Sequence, residues 1–230
     1  MESTTSSSPK NKLINSKLLS IKPAFSRLRL KEQKARRRFR DFIPLAWETA
    51  EPAREFLPNW HIDAIADHLQ AVADGEIQRL VINIPPGHAK SLLVSVLWPA
   101  WMWVQNPKWR ALFASYAADL AVRDSVRCRS LIESDWYQAM FRPEWQLSTD
   151  QNTKSFFENT AKGFRISLGV GGKGTGYRGD AIMVDDALNA RDAPDGAGRV
   201  YLLVGSGDVV PSQRYGDWCK SPDDAAAERG

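Results

Sequence analysis

Lys90-Ser91, placed directly behind Pro85-Pro86-Gly87-His88-Ala89, are the residues of this chain best suited to chemistry. A tight turn, an ammonium, a hydroxyl and then an apolar stretch of helical length form an arrangement that handles phosphates. Backbone N–H groups and a helix N-terminus hold the anion, the Lys reaches its terminal phosphates, and the Ser hydroxyl ligates Mg²⁺. The usual pattern is broken twice, by Ile84 in place of the first Gly and by Ala89 in place of the Gly before the Lys. An ordinary strand-to-helix turn with a solvated Lys would read similarly. The balance shifts with Asp185-Asp186, which end the apolar run Ala181-Ile182-Met183-Val184. A magnesium-nucleotide site needs one acid to hold the metal and another to orient the attacking water, so the two half-motifs in this order support each other.

The elements that must position these groups can be read from hydrophobic spacing. Leu80 to Ile84 is a short apolar run rich in β-branched residues, a buried parallel strand in appearance. Before it, Ile62, Ile65, Ala66, Leu69 and Val72 recur at helical spacing over residues 60–73, closed by Asp74-Gly75. Trp60 or His61 at the head of that helix could stack on a base or belong to the core. Residues 92–104 are apolar nearly all round and predict a buried helix despite Pro99, and residues 110–116 predict a second strand. The helix predicted over 117–134 carries Arg123 and Arg127 one turn apart, either an arginine that stabilises transition-state charge or a surface ion-pairing face. Residues 42–58 and 135–145 read as irregular, and residues 153–157 and 163–168 as a hairpin turning at 159–162. Six glycines within residues 169–179, beside Lys173 and Arg178, make a loop that could touch DNA or phosphate, or simply connect.

Length and composition set the bounds. A chain of 230 residues suits one α/β domain. Cys128 and Cys219 show neither metal spacing nor a disulfide framework, which points to a reducing, cytoplasmic setting, and His61, His68 and His88 form no ligand cluster. No run of about 18 apolar residues and no apolar signal core is present, so no membrane partner is expected. The net charge of +4 is uneven: residues 1–40 hold twelve Lys or Arg against Glu2 and Glu32, a balance of +10, leaving −6 for the remainder. Residues 1–40 are accordingly expected to be a basic, largely disordered tail whose part from Phe25 on could become helical, able to lie along a nucleic-acid backbone or merely to solubilise, with the ATPase domain spanning 41–192.

Residues 60–193 resemble the ATPase domain of the large terminase subunit of tailed phages and prophages. The resemblance is carried by Trp60-His61, by Arg79 through Ser91 with its Pro-Pro-Gly-X-X-Lys-Ser form, by Ser115-Tyr116-Ala117-Ala118-Asp119-Leu120-Ala121, by Gly171-Gly172 to Gly176, and by Val184-Asp185-Asp186-Ala187-Leu188. It implies an α/β P-loop NTPase fold, a mostly parallel sheet with helices on both faces. It further implies an ATP-driven motor that moves double-stranded DNA into a procapsid as a homo-oligomeric ring, with a small terminase subunit and a portal as partners. Pro86, Gly87, His88, Ala89, Lys90 and Ser91 would cradle the nucleotide, Ser91 and Asp185 would hold Mg²⁺, and Lys90 and Asp186 would be the catalytic pair. Asp186 is one methylene shorter than the Glu commoner at that position.

The carboxyl end departs from the family, which continues with another core strand and a metal-dependent nuclease domain. Residues 193–230 offer Gly, Pro, Asp and Ala around one apolar patch, Val200 to Val204. Back-translation of residues 203–227 one nucleotide out of frame permits a family-like string ending Gln-Arg-Leu, so this segment is expected to be an out-of-frame tail on an incomplete sheet, with an unpaired edge. Three functions stay open: a terminase ATPase, another nucleic-acid-stimulated P-loop ATPase, and a prophage remnant that binds nucleotide or DNA without turnover.

Overall fold

The computed structural model describes residues 26–169 and 176–185, together with the backbone of 199–209. Ala35, Phe39, Phe42, Ile43, Ala46 and Trp47 recur three or four residues apart and are all buried. That stripe folds two helices, α1 (26–37) and α2 (Phe39–Ala50), onto the body of the protein. The Trp101 indole N–H donates to the Ala35 carbonyl at 2.8 Å, so the core begins before residue 41 and takes in the end of the segment expected to be a tail. α2 also runs through Pro44, where the sequence suggests irregular chain. Burial of Phe42, Ile43, Ala46 and Trp47 outweighs the one helical hydrogen bond that the proline removes.

α3 (Trp60–Ala73) leads into β1 (Arg79–Asn83). After the loop the chain is wound as a π-helix over Leu92–Leu97 and continues as α4 (Trp98–Gln105). β2 (Ala111–Ser115), α5 (Ala118–Glu133) and α6 (Asp135–Phe141) come next. Helix α6 replaces the irregular stretch expected there: the Ser134 hydroxyl caps it by accepting from the Tyr137 N–H at 3.2 Å, and Tyr137 and Phe141 enter the core. The predicted hairpin forms as β4 (Phe156–Asn159) and β5 (Phe164–Gly169), with an additional strand β3 (Leu147–Asn152) on its outer side. β6 (Gly179–Asp185) and β7 (Arg199–Val209) complete a seven-stranded sheet in the order β1-β7-β6-β2-β5-β4-β3.

The sheet is mixed, which corrects the expectation of a mostly parallel one. β2 runs parallel to β5 and to β6, whereas β7 is antiparallel to both β1 and β6, and β4 is antiparallel to both β3 and β5. A strand that follows β6 and runs parallel beside it would need a crossover of a dozen or more residues, usually helical. The sequence between Asp185 and Arg199 instead carries Pro194, Gly196 and Gly198. β7 lies within the segment read as an out-of-frame tail, yet its backbone pairs along both edges, so the edge expected to be bare at β6 is occupied.

The two faces of the sheet differ. Leu80, Ile82, Ala111, Phe113, Phe157, Ala181 and Met183 share one apolar cluster with α2 to α6 and the π-helix, while Leu112, Ile166 and Ile182 form a separate cluster with strand residues such as Phe156 and Phe164. Among the described residues, therefore, the helices gather on one face, contrary to the two-sided layering expected. No described helix is long and apolar enough to cross a membrane.

Candidate functional site

β1, β6, β2 and β5 all point the same way, and the register brings the ends of the last three together: Ser115 pairs with Asp185 on one side and Gly169 on the other. The carboxyl edge of such a sheet is where α/β proteins place ligands. β1 ends one strand away, since Asn83 pairs with Arg199 and Asp185 with Val200. The loop leaving β1 needs only to cross the start of β7 to reach the end of β6.

That loop makes two left-handed turns, at Gly87 (φ 85°) and Ala89 (φ 59°). Gly87 has open space where a Cβ would sit, so the requirement there is one of backbone conformation alone. Ala89 is the position at which the usual phosphate-binding pattern has Gly, and its positive φ supplies the physical reason for that preference. The Ala89 carbonyl accepts from the Leu93 N–H at 2.9 Å, which joins this residue to the first helical turn. The His88 ring packs edge-on against His61, 5.3 Å between centroids, and Nδ1 lies 3.1 Å from the Pro85 and Pro86 carbonyls. Trp60, 78% exposed and in edge contact with His61, is not a core residue. Trp60, His61 and His88 thus form an aromatic margin beside the loop.

Lys90 turns inward. Its Nζ stands 3.2 Å from Asp185 Oδ1, with only 8% and 13% of the two side chains exposed. Asp185 also lines a cavity of about 30 Å³ with Ser91, Ser95, Ser115, Asp124 and Arg165. Ser91 and Asp185 offer hydroxyl and carboxylate oxygens, the hard donors that suit Mg²⁺, a cation that keeps several of its ligands as water or substrate oxygens. Among the described residues no three His, Cys, Asp or Glu gather as a metal cage.

Arg123 and Arg127, equivalent in sequence, separate in space. Arg127 donates to the Ala50 carbonyl at 3.1 Å and to Glu51 Oε2 at 2.6 Å, tying α5 to the end of α2. Arg123 borders the cavity beside Asp185 and is held by Asp124 through two bonds of 2.9 and 3.2 Å. Hydrogen bonding to Asp124, reinforced by the charge of Asp185, raises its proton affinity further. Of the two arginines, Arg123 alone faces the loop's chemistry.

Sequence reading missed Arg165 and Asp124. Both are buried, at 1% and 3% exposure, and line the same cavity. The signal for Arg165 was its place in β5, where alternation puts a charged residue on the helix-covered face. Asp186, Lys173 and Cys219 lie outside the described residues. What the structure brings together is the Lys90 ammonium against the Asp185 carboxylate, with Ser91 and Asp185 on the wall of one small cavity. No protein-family model, curated protein or solved structure matches this chain.

Proposed function

We propose that this chain is the ATP-binding and hydrolysing motor domain of a phage-type large terminase subunit, with a P-loop NTPase core, acting in the bacterial cytoplasm on double-stranded DNA. The observation that carries the reading is the convergence of the adjacent Lys90 and Ser91 with Asp185, remote from them in sequence, on one edge of the sheet. Lys90 neutralises the terminal phosphates, exchanging its ion pair with Asp185 for one with substrate. Ser91 and Asp185 would hold the metal, and Asp186 would orient the attacking water. The bound Mg²⁺ would supply charge neutralisation of the developing phosphate oxyanions. Trp60 and His61 flank the base, and Arg123 offers charge to the transition state.

The basic helix α1 supports a nucleic-acid partner. Arg27, Lys31 and Lys34 on α1, and Arg38 just after it, are exposed at near-helical spacing, while Glu32 is turned inward to Arg36 (3.1 Å) and Arg142 (2.7 Å). The small terminase subunit, portal and procapsid, and a homo-oligomeric ring, belong to the same proposal. A second reading, a remnant that binds nucleotide without turnover, is favoured by the antiparallel β7 between the loop strand and the carboxylate strand. Phosphate release from Mg-ATP by the purified chain, with and without Lys90→Ala, separates the two. Turnover abolished by the substitution supports the motor; tight binding without turnover supports the remnant; neither binding nor turnover removes both.

A further inference from the structure

Proline in a helix denies a hydrogen bond to the carbonyl four residues earlier. For Pro99 that acceptor is Ser95, in the helix beyond the phosphate loop. Here the chain is wound as a π-helix, with the Trp98 N–H donating to Leu93, five residues back. Ser95 is 4% exposed, so its carbonyl has little water to turn to. Arg165 Nη2 supplies the missing donor at 3.0 Å. Its other amino group, Nη1, donates to Ser167 Oγ at 3.0 Å, and the guanidinium carbon lies 3.9 Å from the centre of the Phe113 ring. A strand residue thus grips the helix at the point where its own ladder fails.

The consequence reaches the loop. Trp98, Trp101 and Trp103, just beyond the π-helix, are locked in the core at 0–2% exposure. One residue more or fewer in the winding rotates the turn before it by about 100° relative to the turn after it. With the tryptophans fixed, the part free to rotate is Lys90-Ser91. We infer that Arg165 is a positioning residue for the nucleotide site: by holding the Ser95 carbonyl it fixes the π-wound register that turns the Ser91 hydroxyl toward Asp185 in their shared cavity. The inference rests on reading that cavity as the magnesium end of a nucleotide site. Burial pushes the Arg165 guanidinium down to about 10, against the opposing influence of Cys128 and Asp124, so the group remains cationic at neutral pH.

The test uses the full chain, a fluorescent ATP analogue titrated with Mg²⁺ and in EDTA, and amide hydrogen exchange over residues 92–100. Arg165→Met should raise the Mg²⁺ concentration for half-maximal binding by about tenfold and leave binding in EDTA within about twofold, the scale expected for a residue that orients a metal ligand. Exchange over 92–97 should quicken. Arg165→Lys and Ser167→Ala, milder changes in case Arg165→Met does not fold, should move both readouts part of the way. A folded variant in which Mg²⁺-dependent and EDTA binding fall together, or neither changes, overturns the inference, because a mere core plug would not act on metal-dependent binding alone. If the unaltered chain binds no nucleotide, the proposed function fails separately. Hydrogen exchange then decides the positioning claim, supported by faster exchange over 92–97 in Arg165→Lys and overturned by unchanged exchange.

Discussion

Lys90 and Asp185 form a largely buried ion pair across the start of β7, Nζ to Oδ1 3.2 Å. A buried pair is costly to break from one side, because the remaining charge keeps its desolvation penalty without its partner's field, on the order of 3 kcal/mol. Lys90→Met and Asp185→Asn should each lower stability by about that much, and the double variant by clearly less than the sum. Urea unfolding of the four proteins measures the coupling, and strictly additive losses would show that the contact contributes nothing. Nucleotide binding should separate the single variants, since Lys90→Met removes a phosphate contact and Asp185→Asn weakens only the Mg²⁺-dependent part.

The loop backbone gives a prediction of opposite sign at two neighbouring residues. Ala89 sits at φ 59°, where an L-residue is strained by about 1–2 kcal/mol, while glycine would forfeit about 0.5–1 kcal/mol of chain entropy. Ala89→Gly should therefore stabilise by about 0.5–1 kcal/mol. Gly87→Ala, at φ 85° with open space around a Cβ, should destabilise by about 1 kcal/mol through the backbone alone. Thermal melts of the two variants moving in the same direction would contradict this account.

The meeting of Lys90-Ser91 with Asp185 was legible because each stands at the end of an apolar run that the sequence marks as a strand. Of the elements around them, α3, β2 and α5 fall within a residue or two of expectation, whereas β1, expected as a buried parallel strand, is an edge strand paired antiparallel with β7 and leaves Val81 exposed. What could not be read is tertiary. Pro44 and the aromatic stretch after Ser134 look like chain breakers until their burial against α4 and α5 is known. The direction of β7 depends on which edges are available to pair, and nothing in Val200 to Val204 records it. Arg165 looks like an ordinary hairpin cation because its partner, the Ser95 carbonyl, is orphaned by a proline in another element.

Alkaline pH should unfold the protein by a definite route. Burial raises the Cys128 thiol from 9.0 to about 11, and burial raises Tyr137 as well. Both groups are held neutral in the folded state, so their contribution is complete below the unfolded pKa and is lost as pH rises through the folded one. For Cys128 the shift corresponds to about 2–3 kcal/mol, spent between roughly pH 9 and 11. Cys128→Ala should cost stability at pH 8 by opening a small cavity, yet decline less steeply toward about pH 10.5. Parallel stability curves for the two proteins from about pH 8 to 10.5 would mean the thiol is not the group responsible.

The basic stripe of α1 and Arg38, the residue that follows it, makes a claim about salt rather than about affinity alone. Arg27, Lys31, Lys34 and Arg38 are exposed, while Arg40 is engaged by Asp63 at 2.5 Å and Asp67 at 3.7 Å, and Arg36 by Glu32 and the Phe141 carbonyl. Of these six, the first four are therefore the ones available to displace counterions from a phosphate backbone. Changing those four to Gln should reduce the magnitude of the slope of log K against log salt for duplex DNA by about 0.9 for each phosphate no longer neutralised, or roughly 3–4 in all if each residue touches one phosphate. Changing Arg36 and Arg40 instead should leave the slope nearly unaltered and lower stability, because those residues hold α1 and α3 to their neighbours. Fluorescence anisotropy with a labelled duplex between about 50 and 200 mM salt gives the slopes. Equal slopes for the original chain and the four-residue variant would place the DNA contact away from this stripe.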